Sequence, residues 1–116
     1  MRGRIRKAHM DLKKLGESLG LEEEEFLEMI DLFFESGGSD LEKIEAAVAA
    51  GNSAQAHMAS HSLKGSSGSL GLMMICEKAT AIDEKVRRGD LEGAEEMVAA
   101  LRKEYDRLLA AANKTA

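Results

Sequence analysis

Glycine punctuates this chain at intervals that suit helices and little else. Gly16, Gly20, Gly37-Gly38, Gly51-Asn52 and Gly89-Asp90 bound segments whose apolar residues recur three and four positions apart, and no proline interrupts them. Residues 22–36 place Phe26, Ile30, Phe33 and Phe34 on one face, with glutamates in the first turn where the helix dipole favours them. Ser39, followed by Glu42, reads as a capping box opening a separate helix over 40–50 with Leu41, Ile44 and Val48 inward. Residues 72–88 align Leu72, Ile75, Ala79, Ile82 and Val86; residues 91–112 align Ala94, Val98, Leu101, Tyr105 and Leu108. Asp90 is the expected N-cap of that last helix. Short joints make neighbours antiparallel, so the expected fold is all-α: an antiparallel four-helix bundle with an additional N-terminal helix.

At 116 residues the chain is expected to form a single domain, 1–116, with the bundle over 22–113. The net charge of −5 excludes a general nucleic-acid binder, which needs clustered positive charge. The sign is uneven: residues 1–14 carry six basic residues and one acid, a local +5 against −10 elsewhere. This basic arm reads as a solvated helix against the acidic remainder, with a partner or membrane contact as the alternative. No stretch has the length of a membrane span or the apolar core of a signal peptide, and the single cysteine cannot form an internal disulfide. A cytoplasmic, non-membrane setting and a monomer are expected. Cys76, within LMMIC, reads as a small buried hydrophobe.

The stretch SHSLKGSSGSLG, residues 60–71, has the composition of a flexible linker. Its periodicity says otherwise. On a helical wheel Ala56, Ala59, Leu63, Ser66 and Leu70 share one side, and Ser53 stands at the N-cap position after Gly51-Asn52. The opposite side carries His57, Met58, His61, Lys64, Gly65 and Gly68. Two glycines inside a helix cost about 1 kcal/mol each relative to Ala, so their place on a solvent face calls for a reason other than stability. They leave the approach to His61 uncovered. Lys64, one turn along, supplies positive charge where an anion bonded to the ring would lie.

An exposed imidazole is largely neutral near neutral pH, its reference pKa being about 6.5, and offers a free lone pair to phosphorus. The phosphoramidate that results passes its phosphoryl group on readily. The sequence has no Gly-rich phosphate loop ending in Lys-Ser/Thr and no acidic magnesium cluster, so the phosphoryl group is expected from a macromolecular donor and not from ATP bound here.

His61-Ser62-Leu63-Lys64-Gly65, with Gly68 and Leu70-Gly71, resembles the signature of histidine-containing phosphotransfer (HPt) domains of two-component phosphorelays. The similarity extends through the flanking helices and the Gly89-Asp90-Leu91 joint. The resemblance implies that His61 is the phosphoacceptor through Nε2, that Lys64 stabilises the phosphate, and that Gly65 and Gly68 make room for the donor. It implies a response-regulator receiver domain as partner, with Met58 and His57 in the contact surface, and a hybrid sensor histidine kinase upstream. It implies no cofactor in this chain, Mg²⁺ belonging to the receiver, and no autonomous kinase activity. A non-phosphorylated adaptor that binds a receiver or kinase is the alternative. A metal site at His57 and His61 is the weaker reading, since only His9 remains as a third imidazole and no H-E-x-x-H glutamate is present.

Overall fold

A computed structural model describes residues 13–115, and every regular element among them is helical. Residues 13–18 are helical (α1), followed by α2 (Glu23–Ala49), α3 (Ser53–Ser69), α4 (Met73–Arg87) and α5 (Ala94–Thr115). The basic residues of the N-terminal arm before Lys13, and His9, lie outside the described residues.

Packing follows chain order. α2 lies against α3, α3 against α4, α4 against α5, and α5 returns to α2, which closes the four longest helices into an antiparallel bundle. The core collects one apolar stripe from each: Phe26, Ile30, Phe33, Leu41 and Ile44 from α2, Leu63 from α3, Ile75, Ile82 and Val86 from α4, and Val98, Leu101 and Tyr105 from α5. Phe34 and Leu108 are only partly buried at its edge.

The Gly37-Gly38 pair does not end a helix, and Ser39 caps nothing. α2 runs unbroken for 27 residues. A Cβ on Gly37 would stand 3.2 Å from the Phe33 ring and 3.4 Å from Leu63 Cδ1; one on Gly38 would stand 2.7 Å from the Tyr105 hydroxyl oxygen. The glycines are therefore contact points where α3 and Tyr105 press against α2, and burial there outweighs their poor helix propensity.

α2 ends instead at Gly51, whose φ of +70 is open to glycine at little strain. The Asn52 amide then bonds back to the Ala47 carbonyl at 2.8 Å, a Schellman-type ending. Asn52, not Ser53, caps α3: its Oδ1 accepts from the Gln55 amide at 3.1 Å, and Ser53 becomes the first helical residue. Asp90 likewise caps no helix. Its Oδ1 accepts from the Glu92 amide at 3.0 Å and its Oδ2 from Lys85 Nζ at 2.9 Å, so its acceptors are engaged within the turn, and α5 starts at Ala94.

Between α2 and α5, Arg102 grips Glu45 through two bonds of 3.0 and 2.7 Å. Nearby the Tyr105 hydroxyl donates to the Phe34 carbonyl at 2.7 Å. Burial pushes the Tyr105 phenol above its ordinary value of about 10. A raised folded-state pKa means that its contribution is complete below the unfolded value and is lost as pH rises through the folded one. Tyr105 is the only tyrosine and there is no tryptophan, so phenolate absorbance reports it alone. The native protein is expected to titrate above the urea-unfolded chain, with alkaline loss of stability in the same window; coincident titrations would contradict this.

Candidate functional site

The motif segment is a helix from end to end, and α3 is held by its small residues. Ala56, Ala59, Leu63 and Leu70 are buried as their periodicity predicts, but Ser66 is only partly so. Ser60 and Ser67 take the inward places instead. Their hydroxyls donate to the Ala56 and Leu63 carbonyls, each at 2.7 Å, so the helix satisfies its own buried polar groups. The buried arc is thus rotated toward α4. A wheel weighted by hydrophobicity gives serine no inward pull, although small side chains are what let α4 approach.

That rotation sets the histidines. The His61 side chain is 67% exposed. His57, one turn earlier, is 37% exposed and turns toward α4, where its Nδ1 lies 2.5 Å from Asp83 Oδ1. Asp83 is 2% exposed, and its other oxygen, Oδ2, lies 3.8 Å from His61 Nδ1. This separation is ion-pair range, longer than a hydrogen bond. With Nδ1 facing the carboxylate, the opposite ring nitrogen of His61, Nε2, is left toward the exposed side.

Sequence patterning does not single out Asp83. Its only local signal is a carboxylate beside Ile82 at the margin of the α4 stripe, a position where charged residues are usually solvated. Only the crossing of α3 over α4 shows that it is buried and partnered.

The remaining motif residues surround His61 unequally. Lys64 is half-buried, and among the described residues no carboxylate lies within ion-pair distance of its ammonium. A Cβ on Gly65 would meet nothing within 4 Å, as a cleared surface requires. Gly68 is exposed but not fully open: a Cβ there would touch Cys76 Sγ at 3.4 Å, so it also serves the α3–α4 contact. Cys76 is half-buried, its thiol directed at the Lys64 carbonyl at 3.6 Å. Met58 presents a side chain 71% exposed on the same helix, an unusual position for an apolar group.

Among the described residues no three His, Cys, Asp or Glu side chains are placed to hold a metal ion, and no helix is long and apolar enough to cross a membrane.

The family model described as Hpt domain matches residues 28–111. The chain belongs to the Hpt-domain family. The matched span takes in most of α2, all of α3 and α4, and most of α5, so the Hpt assignment covers the helices that build the His61 surface. No curated protein and no solved structure matches the chain significantly. Hpt domains carry phosphoryl groups on histidine in two-component phosphorelays and interact with response-regulator receivers.

Proposed function

We propose that this Hpt domain is a phosphorelay intermediate in which His61 Nε2 takes a phosphoryl group from the aspartyl phosphate of one receiver domain and yields it to another. The observation that carries this reading is the pairing of an exposed imidazole with a buried carboxylate behind its Nδ1. As the Nε2 lone pair attacks phosphorus, an N–P bond forms and the P–O bond to the receiver's aspartate breaks, that carboxylate leaving with the electron pair. The ring gains positive character in the process. Asp83, with its negative charge at Nδ1, offsets it. Lys64 stands one turn along α3 to meet the phosphoryl oxygens, Met58 offers apolar contact, and Gly65 and Gly68 admit the receiver's loops. Mg²⁺ enters with the receiver, and a hybrid sensor kinase is the proposed upstream source.

Incubation with a phosphorylated receiver and Mg²⁺ is expected to leave acid-labile label on the wild-type chain. Absence of label from every receiver tried, with binding retained, would favour the adaptor reading instead.

Gly65 offers a companion test that separates stability from transfer. Gly65→Ala is expected to raise stability by about 0.5–1 kcal/mol, because the added methyl meets no neighbour and the helix gains propensity. Gly65→Gln is expected to fold as well as wild type yet take up label at least about tenfold more slowly, since a loss of roughly 1.4 kcal/mol in docking is tenfold. Urea unfolding and label uptake, measured on the same samples, check both.

A further inference from the structure

His57 forms the shortest bond in the site, yet it is not the residue whose nitrogen meets the phosphoryl group. Asp83 Oδ1 lies 2.5 Å from His57 Nδ1, a bond in which an ionised carboxylate can only accept and the His57 tautomer with its proton on Nδ1 donates. A carboxylate's two oxygens are held in one rigid plane. Anchoring Oδ1 therefore determines where Oδ2 points, and it points at His61 Nδ1, 3.8 Å away. The other group on Oδ1 is a weak substitute: the Ser60 hydroxyl stands 3.5 Å away and already donates to the Ala56 carbonyl at 2.7 Å. The two imidazoles sit side by side, their centroids 6.0 Å apart and their planes tilted by 47°, so they meet the same carboxylate from one helix.

From this geometry we infer that His57 is a positioning residue for His61, acting through Asp83. His57 holds the carboxylate with Oδ2 toward His61 Nδ1, which keeps the His61 proton on Nδ1 and the lone pair on Nε2. Neutral histidine in water favours the opposite tautomer, with its proton on Nε2, so the carboxylate has a real preference to overcome. Its charge need not make a full hydrogen bond at rest, because such contacts tighten as the reacting complex forms. The purpose of the arrangement rests on the phosphotransfer reading; the arrangement itself does not.

Nitrogen-15 NMR of the imidazoles at a pH of about 8, where histidine is ordinarily neutral, reads the tautomer directly in the resting protein. Wild type is expected to show His61 predominantly protonated on Nδ1. In His57→Ala, Asp83 is free to turn and His61 is expected to shift toward the Nε2-protonated form. His57→Asn, whose amide can donate from near the place of Nδ1, is expected to restore the wild-type tautomer. Label uptake from a phosphorylated receiver is expected to fall about tenfold or more in His57→Ala, the usual scale for losing a partner that orients a reacting ligand, and to recover in His57→Asn. If His57→Ala does not fold, His57→Gln replaces it, since its amide reaches the place of Nε2 but not that of Nδ1.

Identical His61 tautomers in wild type and the Ala or Gln variant overturn the inference, as do identical uptake rates when wild type is active. A wild-type chain that takes no label overturns the phosphotransfer reading instead, and the tautomer measurement still decides the role of His57.

Discussion

His61→Gln is expected to take up no phosphoryl label above background while unfolding within about 0.5 kcal/mol of wild type, the usual range for an exposed substitution. The imidazole is 67% exposed, and its one ion-pair contact among the described residues is Asp83 Oδ2 at 3.8 Å, so removing it disturbs little packing. Glutamine keeps a polar group near the place of Nε2 but has no nucleophilic lone pair on nitrogen. The receiver should therefore still bind. Fast mixing with a labelled receiver, followed by acid-sensitive detection on the Hpt domain, separates the two properties. Label in His61→Gln equal to wild type would move the acceptor elsewhere, and His57, whose Nδ1 is already held by Asp83, would be the next residue to replace.

The second large effect concerns the fold. Gly38→Ala is expected to destabilise the protein by about 1–3 kcal/mol, the range for forcing a methyl into a filled site, despite a gain in helix propensity of about 1 kcal/mol. The new Cβ would fall 2.7 Å from the Tyr105 hydroxyl oxygen and displace it from the Phe34 carbonyl, to which it donates at 2.7 Å. Tyr105→Phe removes the obstacle. In that background the next atom, Cζ of the ring, lies at an ordinary 3.5 Å, so Gly38→Ala is expected to become stabilising. Chemical denaturation of the four proteins in the cycle measures the reversal. A Gly38→Ala substitution that costs the same with and without the hydroxyl would show that α2 tolerates glycine here for some other reason.

Both predictions show how far the fold and site were legible in the sequence. Phe26, Ile30, Phe33, Ile44, Leu63, Ile82 and Leu101 are buried where their spacing places them, because a helix brings residues three and four apart to one face whatever else surrounds it. His61, Met58 and Gly65 are exposed for the same reason. The Gly37-Gly38 pair was legible as glycine but not as contact. Local propensity treats it as a break, and only the arrival of Leu63 and Tyr105 from helices distant in sequence shows that a side chain there would collide.

The amino-acid sequence by itself determined the helical register, the face on which His61 stands and the bare surface around it, all of which follow from neighbours within two turns of one helix. The tertiary structure alone decided that α2 continues through its glycines, that Ser60 and Ser67 turn inward, and that Asp83 stands between two imidazoles. Each of these depends on where a second helix crosses the first. Hydrophobic periodicity encodes which face a helix buries, whereas the crossing is settled by the packing of small side chains between helices, and it is the crossing of α3 over α4 that places a buried carboxylate behind an exposed histidine.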